Sequence, residues 1–357
     1  MTTTGGTGGS TATGGTPGTG GTGIVPPPPE EDAGHEMDAA MGDASTDAGQ
    51  ATPITDLPFW IETLEMGTRA VFWVKVDINA ADSLDVVLRY GDASLASASN
   101  IGDVFVFGDD FTGAALDTAK WTVDDMTGWS VSGGQLHGTN TTGRIHSVAT
   151  FTSNTTPIVA ETRFKATVLP PNGGYMGNGF FTSTTVAFGL LVNGNPPNYY
   201  VRNNAAWSSP MMWAGNFVTG WSRSVLRMKT GAQADFILSG DDGTTNLVTL
   251  PYAYNVSAAP LGLGRRYDET NLGEVYDAVW DFIHVRKWVA TEPTVNLAKT
   301  DQPNGACADC YDKTLVIDNT AGLALTDHQV RIVLDATATT FWSHVGTAGD
   351  DIRIGTP

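Results

Sequence analysis

Short runs of β-branched and aromatic residues, divided by Gly, Pro, Asn and Asp, follow one another along most of the chain. Residues 70–76 and 84–90 are examples, and the second run ends at the turn pair Gly91-Asp92. Such runs, bounded by turn residues, are typical of β-strands. No stretch of eleven or more residues repeats its apolar positions with the 3.6-residue period of a helix. The pattern therefore predicts an all-β protein.

The long middle segment, residues 108–292, carries many strand candidates with turn signals such as Ser132-Gly133-Gly134 and Gly240-Asp241-Asp242-Gly243 between them. The predicted strands are 145–151, 158–168, 185–192, 199–202, 224–229, 234–239, 247–250 and 279–289. Many strands at this spacing favour two stacked sheets. A block of this length suits a large jelly roll better than a small immunoglobulin domain.

The ends of the chain have a different composition. Residues 1–55 are rich in Gly, Thr and Pro and then acidic, so they predict a disordered tail that buries little apolar surface. Residues 293–310 predict a linker, after which strands resume at 313–318 and 328–334. The sequence stops just after residues 351–354, in what reads as the middle of a hairpin.

Charge and hydropathy exclude two classes of partner. The formal net charge is −19 and no basic run occurs, which argues against nucleic acid. No run of eighteen apolar residues occurs, so no membrane-spanning helix is predicted.

Met1 is followed by Thr, Gly and Ser rather than by a charged and then an apolar region, so no secretory signal is visible. Either export uses another route or the true N-terminus lies upstream, and we favour the second explanation.

Several motifs together resemble a family arrangement found in prokaryotic surface proteins. In it, an uncharacterised β-sandwich module precedes a concanavalin-A-like (laminin-G-like) domain. The motifs of the module match residues 311–320, 325–330 and 350–353, and then 57–62, 72–76 and 90–96. The concanavalin-A-like motifs match Phe107-Gly108-Asp109-Asp110-Phe111, Leu116-Asp117-Thr118-Ala119-Lys120-Trp121 and residues 280–288. The resemblance implies a surface or extracellular protein built from β-sandwiches.

The order of the module is reversed in this chain. Its second half is residues 56–107, and its first half is residues 311–357. Each half alone buries too little surface to be stable and exposes unpaired strand edges. Three arrangements stay open: the halves close on each other within one chain, they pair between copies head to tail, or the sequence is a slice of a longer tandem array. The missing signal and the abrupt end at Pro357 favour the slice.

Carboxylates offer little acid–base chemistry. The strand pattern Glu-x-Asp-x-x-Glu, which would place a catalytic pair on one face, does not occur. The segment that comes nearest to this pattern, with Asp268, Glu269 and Glu274, is predicted to be a loop.

A second set of carboxylates is a candidate calcium site, because the first and last strands of such sandwiches often lie together: Asp109, Asp110 and Asp281. In the alternative interpretation, Asp109 and Asp110 cap a turn before Phe111.

Two further features complete the candidate chemistry. Cys307 and Cys310 predict a small loop disulfide rather than a zinc or redox site, because no second ligand pair lies nearby. Aromatic, amide and guanidinium groups concentrate in one region. They are candidate glycan-binding residues, because sugars stack on aromatic faces: Tyr199, Tyr200, Arg202, Asn203, Asn204, Trp207, Trp213 and Trp221. In the alternative interpretation, these aromatic residues fill the core.

The sequence thus predicts a non-catalytic extracellular or cell-surface binding or adhesion module. Its expected partner is a glycan or a cell-surface polysaccharide, with calcium as the candidate cofactor. The first alternative is a structural subunit or spacer of a surface array, in which copies of the chain associate head to tail. The second alternative is a glycoside hydrolase.

Overall fold

The computed structural model describes most of the chain after residue 52. The described residues are 53–124, 127–141, 143–153, 156–169, 176–181, 186–193, 198–203, 206–207, 220–229, 234–240, 245–250, 256–265, 275–297 and 299–357. The predicted tail lies outside them, apart from its last three residues.

The described residues form β-strands almost throughout, with two short helices. The first strands and helix α1 are β1 (Thr55–Asp56), β2 (Phe59–Glu65), β3 (Arg69–Ile78), β4 (Ser83–Tyr90), α1 (Ile101–Val104), β5 (Phe107–Asp109), β6 (Trp121–Val123), β7 (Trp129–Ser132), β8 (Gln135–Thr141), β9 (Arg144–Phe151), β10 (Ile158–Val168), β11 (Met176–Phe181) and β12 (Val186–Asn193). The remaining elements are β13 (Asn198–Asn203), β14 (Ala206–Trp207), β15 (Ser222–Met228), β16 (Ala234–Gly240), β17 (Thr245–Leu250), β18 (Ala259–Arg265), β19 (Tyr276–Lys287), β20 (Thr294–Asn296), β21 (Gln302–Pro303), β22 (Tyr311–Asp318), β23 (Leu325–Asp335), α2 (Thr339–His344) and β24 (Arg353–Thr356).

The central segment folds into two antiparallel sheets. The strands of one, called the eight-stranded sheet, run in the order β17-β16-β15-β10-β19-β8-β7, with β5 also paired to β19. The other, called the seven-stranded sheet, has the order β14-β13-β12-β11-β18-β9-β6. Buried residues of both sheets form one apolar core. The structure confirms the predicted all-β fold with its jelly-roll sandwich.

Strand alternation explains the packing of this sandwich. On β10, Ile158, Ala160 and Phe164 belong to the core, while Glu161 and Arg163 lie between them in sequence and point away from it. The other sheet brings Phe180, Leu261 and Leu263 to the same core. Gly262 of β18 has no room for a side chain, because an added Cβ would lie 2.1 Å from the Phe181 ring.

The segments before and after the sandwich form a second unit, here called the flanking unit. Its three-stranded sheet has the order β2-β3-β23, and its six-stranded sheet has the order β1-β24-β4-β22-β20, with β21 also paired to β22. Strand β4 pairs with β22 along its whole length, and β3 pairs with β23. Strands from the two ends of the described chain therefore share both sheets, and the pairing occurs within one chain. The immunoglobulin-like identity of this unit stays a prediction.

Polar contacts hold the two halves of the flanking unit together. The Arg89 guanidinium donates from Nε and Nη2 to the two carboxylate oxygens of Asp312, each at 2.8 Å. Gly91 has a φ of +96°, and a Cβ at this position would lie 1.8 Å from the carbonyl oxygen of Asp309. Only glycine fits both that backbone conformation and that close approach.

Some predicted boundaries differ from the observed ones. The predicted linker contributes β20 and β21, which extend the six-stranded sheet along β22. Helix α1 was not predicted, because a four-residue helix is too short to show a period. Its N-cap is Asn100, whose side chain accepts a hydrogen bond from the backbone N–H of Gly102. The strand that follows, β5, pairs with β19 and belongs to the central sandwich.

The flanking unit has an apolar core of its own, and a third apolar cluster joins this unit to the central sandwich. It consists of residues from β2, β3, α1 and β19 and the residue after α1: Trp60, Trp73, Ile101, Val104, Phe105 and Phe282. The Trp60 and Phe282 rings meet edge to face with their centres 5.3 Å apart. Gln329 of β23 donates to the backbone oxygen of Val104 at 2.9 Å. Side chains of both units therefore meet in one buried junction.

Candidate functional site

A charged cleft lies beside this junction, between the outward face of the eight-stranded sheet and the three-stranded sheet. Its volume is about 780 Å³, within the range of ligand-binding clefts. The flanking unit contributes Glu62, Thr63, Glu65, Arg69, Trp73 and Arg331, and the central sandwich contributes Glu161, Arg163, Arg223, Val225, Arg227, Ser239, Gly240, Asp281 and Arg286. We call this the junction cleft.

The same alternation that builds the core supplies the walls of the junction cleft. Strand β10 presents Glu161 and Arg163, and its neighbour β15 presents Arg223 and Arg227. The register shift between β10 and β19 falls at Arg163, beside Asp281. A bulge of this kind re-aims side chains at the edge of a site.

Arg223 bridges the two units across the cleft. Its Nη2 lies 2.6 Å from Oε2 of Glu62, and its Nε lies 2.5 Å from Oε1 of Glu161. Arg331 of the three-stranded sheet lies 3.5 Å from the other oxygen of Glu62. Both carboxylates are nearly buried, with side-chain exposures of 4 % and 8 %. A buried carboxylate needs this compensation, because an unpaired one is strongly destabilising.

A second ion pair lies on the same sheet. Arg163 donates to Asp281 at 2.6 Å, and Gln135 donates to the other carboxylate oxygen at 3.3 Å. The Arg163 guanidinium also lies 4.4 Å from the ring centre of Trp221, a cation–π distance. Trp221 is half-buried. Among the candidate glycan-binding residues, Trp221 lies next to the junction cleft.

His284 is sealed beneath the cleft. Its ring stacks on Phe105 with the centres 3.9 Å apart, and Trp60 and Trp73 meet it edge-on. Its side chain has no exposed surface, and neither ring nitrogen has a hydrogen-bond partner among the described residues. Burial lowers the pKa of His284 well below 6.5, and the nearby guanidinium of Arg223 lowers it further, against the opposing effect of Glu62. The imidazole is therefore neutral at pH 7.

Glu62, Glu161 and His284 are the residues of the described chain that bring three metal-ligating atoms within 4.8 Å of one another. They do not suit a cation. Arg223 already pairs with both carboxylates, and Arg286 and Arg331 lie close enough to disfavour a positive charge on His284. A divalent ion there would have to displace these guanidinium groups.

The predicted calcium residues do not come together. Asp109 accepts hydrogen bonds from the backbone N–H of Phe111 at 3.1 Å and from Nε1 of Trp121 at 2.6 Å. Asp110 accepts from Trp60 and from the hydroxyl of Thr112. Asp281 lies in the junction cleft with partners of its own. The geometry of Asp109 and Asp110 is that of a turn before Phe111.

The other predicted site residues are dispersed. Tyr199, Tyr200, Arg202 and Asn203 lie on β13, and Trp207 lies on β14, at the edge of the seven-stranded sheet. Asn204 and Trp213 lie outside the described residues, as do Asp268, Glu269 and Glu274. A disulfide joins Cys307 to Cys310.

The charged residues of the cleft were not predicted as a site. The signal was present in the sequence, since Glu161-x-Arg163 and Arg223-x-Val225-x-Arg227 place their members on one face of a strand. What could not be read was the partner surface, because Glu62 and Arg331 reach the cleft only through the closure of the flanking unit.

Comparisons with known proteins give a family match for part of the chain. Residues 49–124 match a family described as "Domain of unknown function (DUF2341)". This segment contains the motifs at 57–62 and 72–76 and both opening motifs of the central sandwich. No curated protein matches the chain in sequence.

No helix among the described residues is long and apolar enough to cross a membrane.

Solved structures with a similar course of the chain include three sugar-related proteins. A pseudo β-1,3-glucanase and immunostimulatory antigen of Mycobacterium tuberculosis shares 16 % identity with a TM-score of 0.38, covering 52 % of this chain and all of that one. A glycosyl hydrolase family protein from Mycobacterium fortuitum shares 17 % identity with a TM-score of 0.36, covering 51 % and 99 %. Lectin I-B4 from Griffonia simplicifolia shares 12 % identity with a TM-score of 0.37, also covering 51 % and 99 %. Because these TM-scores and identities are low, we describe the fold of this chain from its own strand pairing.

Proposed function

We propose that this protein is a non-catalytic glycan-binding module that acts outside the cell or at its surface. The observation that carries the proposal is the junction cleft itself. It has the volume of a ligand site, and charged groups of two units converge on it. Guanidinium groups donate to sugar oxygens and carboxylates accept from sugar hydroxyls, so the lining can read a polyhydroxylated ligand.

Trp221 adds an apolar surface at the side of the cleft. Its ring packs against Arg163, and it keeps part of its surface exposed. A sugar ring presents apolar C–H faces that pack against such aromatic surfaces. The combination of a rigid aromatic group with paired charges supports sugar binding over binding of a purely apolar ligand.

The arrangement of the carboxylates supports binding without catalysis. A retaining glycosidase needs two carboxyl groups about 5 Å apart, one of them able to protonate the leaving group. Glu62 and Glu161 meet the spacing, since they bring carboxylate oxygens within 4.8 Å of each other. Arg223 pairs with both of them, however, and Arg163 pairs with Asp281. Each of these three carboxylates therefore has a structural partner that would have to be displaced before it could transfer a proton.

A glycan array probed with the full chain, with and without calcium, tests this proposal. We expect saturable binding that calcium does not change. Trp221→Ala should weaken binding of the best ligand about tenfold, the effect of roughly 1.4 kcal/mol of lost packing. Trp342→Ala is the matched control, since this half-buried tryptophan packs against the core of the flanking unit. Absence of binding to any glycan, or release of reducing sugar from one, would contradict the proposal.

A further inference from the structure

The junction cleft concentrates arginine in a chain that is otherwise acidic. Six of the twelve arginines in the sequence line it, although the formal net charge of the chain is −19. These six are Arg69, Arg163, Arg223, Arg227, Arg286 and Arg331. None of the described residues that line the cleft is a lysine. Arginine is the side chain that best matches a planar anion, because its fork of N–H groups can donate two parallel hydrogen bonds.

Positive charge exceeds negative charge in the cleft. Four carboxylates line it against the six guanidinium groups: Glu62, Glu65, Glu161 and Asp281. Some arginines have partners just outside the lining, since Arg286 pairs with Glu292, and Asp235 pairs with Lys229 near Arg227. Among the described residues, the six guanidinium groups and Lys229 then stand against six carboxylates, which are the four of the lining together with Glu292 and Asp235.

Two of the arginines keep most of their donors free. Arg69 is exposed at the mouth of the cleft and forms no ion pair among the described residues. Arg227 lies 4.0 Å from an oxygen of Asp235 that Lys229 approaches to 2.6 Å. A guanidinium has five N–H donors, so both side chains can accept a new anionic partner without breaking a close ion pair.

The environment of Arg331 points in the same direction. Burial lowers the pKa of this guanidinium, and the neighbouring charges of Arg223 and Arg69 lower it further, against the opposing effects of Glu62 and Glu161. Burial is the largest of these effects, so Arg331 is a guanidinium that has lost much of its hydration. An anion that enters the cleft compensates this loss.

We propose that the ligand of the junction cleft is an acidic polysaccharide, whose sugar carboxylates are bound by arginines of both units, with Arg69 and Arg227 making the first contacts. The inference rests on the proposed glycan-binding function and specifies its ligand class. A carboxylate fits because the cleft already holds three carboxylates of the protein in arginine pairs. The acidic remainder of the chain opposes a polyanion only weakly at physiological ionic strength, where charges more than about 8 Å apart are screened.

The test uses titration calorimetry of the full chain with short oligomers of galacturonic, mannuronic and glucuronic acid. Each oligomer is offered as the free acid and as its methyl ester, which keeps the rings and removes the charge. We expect at least one free acid to bind about tenfold or more tightly than its ester, the loss expected for one charge-assisted contact. That binding should weaken as salt concentration rises.

Variants locate the contact. Arg69→Gln and Arg227→Gln should each weaken binding of the acid severalfold and weaken binding of the ester less, so that the preference for the acid over the ester falls. Lys299→Gln is the matched control, because it removes one positive charge from an exposed pair with Asp85 in the flanking unit. Circular dichroism and the unfolding midpoint establish that each variant is folded.

The outcomes separate the two proposals. If a free acid binds no more tightly than its ester while other glycans on the array do bind, the ligand class is wrong and the glycan-binding function stands. If no glycan binds, both fail. Equal affinity for inorganic polyphosphate, or binding that Arg69→Gln and Arg227→Gln leave unchanged, would also overturn the inference, because the contact would then be unspecific or elsewhere.

Discussion

The two faces of the eight-stranded sheet carry opposite chemistry. The inward face packs Leu226, Phe236 and Trp280, all essentially without exposed surface, against the seven-stranded sheet. The outward face presents Arg163 and Arg223 to the junction cleft. Adjacent residues of the same strands supply both faces. The inward face forms the apolar core, and the part of the outward face that lines the junction cleft is available for a ligand.

The outward face is nevertheless not an ordinary solvated surface. The flanking unit covers part of it and brings Glu62 to within 2.6 Å of Arg223. The cleft therefore depends on two separate features of the fold. Strand alternation places the charges, and the closure of the flanking unit opposite them makes the cleft.

The largest expected effect comes from the inward face. Phe236→Ala should lower the free energy of unfolding by about 4 kcal/mol, because it removes a fully buried ring and leaves a cavity. Chemical denaturation monitored by tryptophan fluorescence measures the change. A loss below about 1 kcal/mol would mean that the inward face is not the close-packed core described above.

On the outward face, Arg223→Ala should cost about 3 kcal/mol, because it leaves Glu62 and Glu161 without their main partner in a nearly buried setting. The same denaturation experiment applies. The double variant Glu161→Gln, Arg223→Ala is the control and should recover part of the loss. An unchanged midpoint for Arg223→Ala would show that the outward face behaves as a solvated surface.

His284, on the outward side, should make stability depend on pH. The folded protein keeps the imidazole neutral, whereas the unfolded chain binds a proton near pH 6.5. The unfolded state therefore holds more protons below that pH, and stability falls as the pH decreases. The slope is small near pH 7.5, where the unfolded imidazole is also mostly neutral, and rises toward about 1.4 kcal/mol per pH unit as the pH falls below 6.5. Denaturation at pH 7.5, 6.5 and 5.5 should show this slope, and His284→Phe should remove it. The control His137→Gln should keep it.

The smallest expected effect is at the free arginines. Arg227→Ala should change the unfolding free energy by less than about 0.5 kcal/mol, because its contact with Asp235 is long and Lys229 already approaches that carboxylate. Differential scanning calorimetry of the variant and the unmodified protein measures this change in unfolding free energy. A loss above 1 kcal/mol would mean that Arg227 has a structural role, which would weaken its assignment to ligand binding.

Much of the fold could be predicted from the sequence. Periodicity and turn residues gave most strands of the central sandwich to within a few residues, as at β10 and β16. The short elements β20 and β21 and helix α1 could not be predicted. They are held by pairing with β22 and by the junction cluster, and contacts distant in sequence leave no local period.

The site was harder to predict than the fold. The aromatic residues around Tyr199 drew attention by composition, and of these candidates Trp221 has a described side-chain contact with a residue of the junction cleft. The carboxylates Asp109 and Asp110 accept hydrogen bonds from a turn N–H and from tryptophan side chains, and their role as calcium ligands stays a prediction. The local pattern of β10 and β15 indicates a charged strand face, but the cleft also depends on pairs such as Arg223 with Glu62, which are far apart in sequence and leave no local pattern.

Hydrogen–deuterium exchange of the full chain, with and without the best-binding acidic oligomer, tests most directly whether both units share one ligand site. We predict slower exchange together in β2 and β3 of the flanking unit and in β15 of the central sandwich. Protection confined to residues 198–207 of the seven-stranded sheet, or to the central sandwich without the flanking unit, would contradict the shared junction cleft.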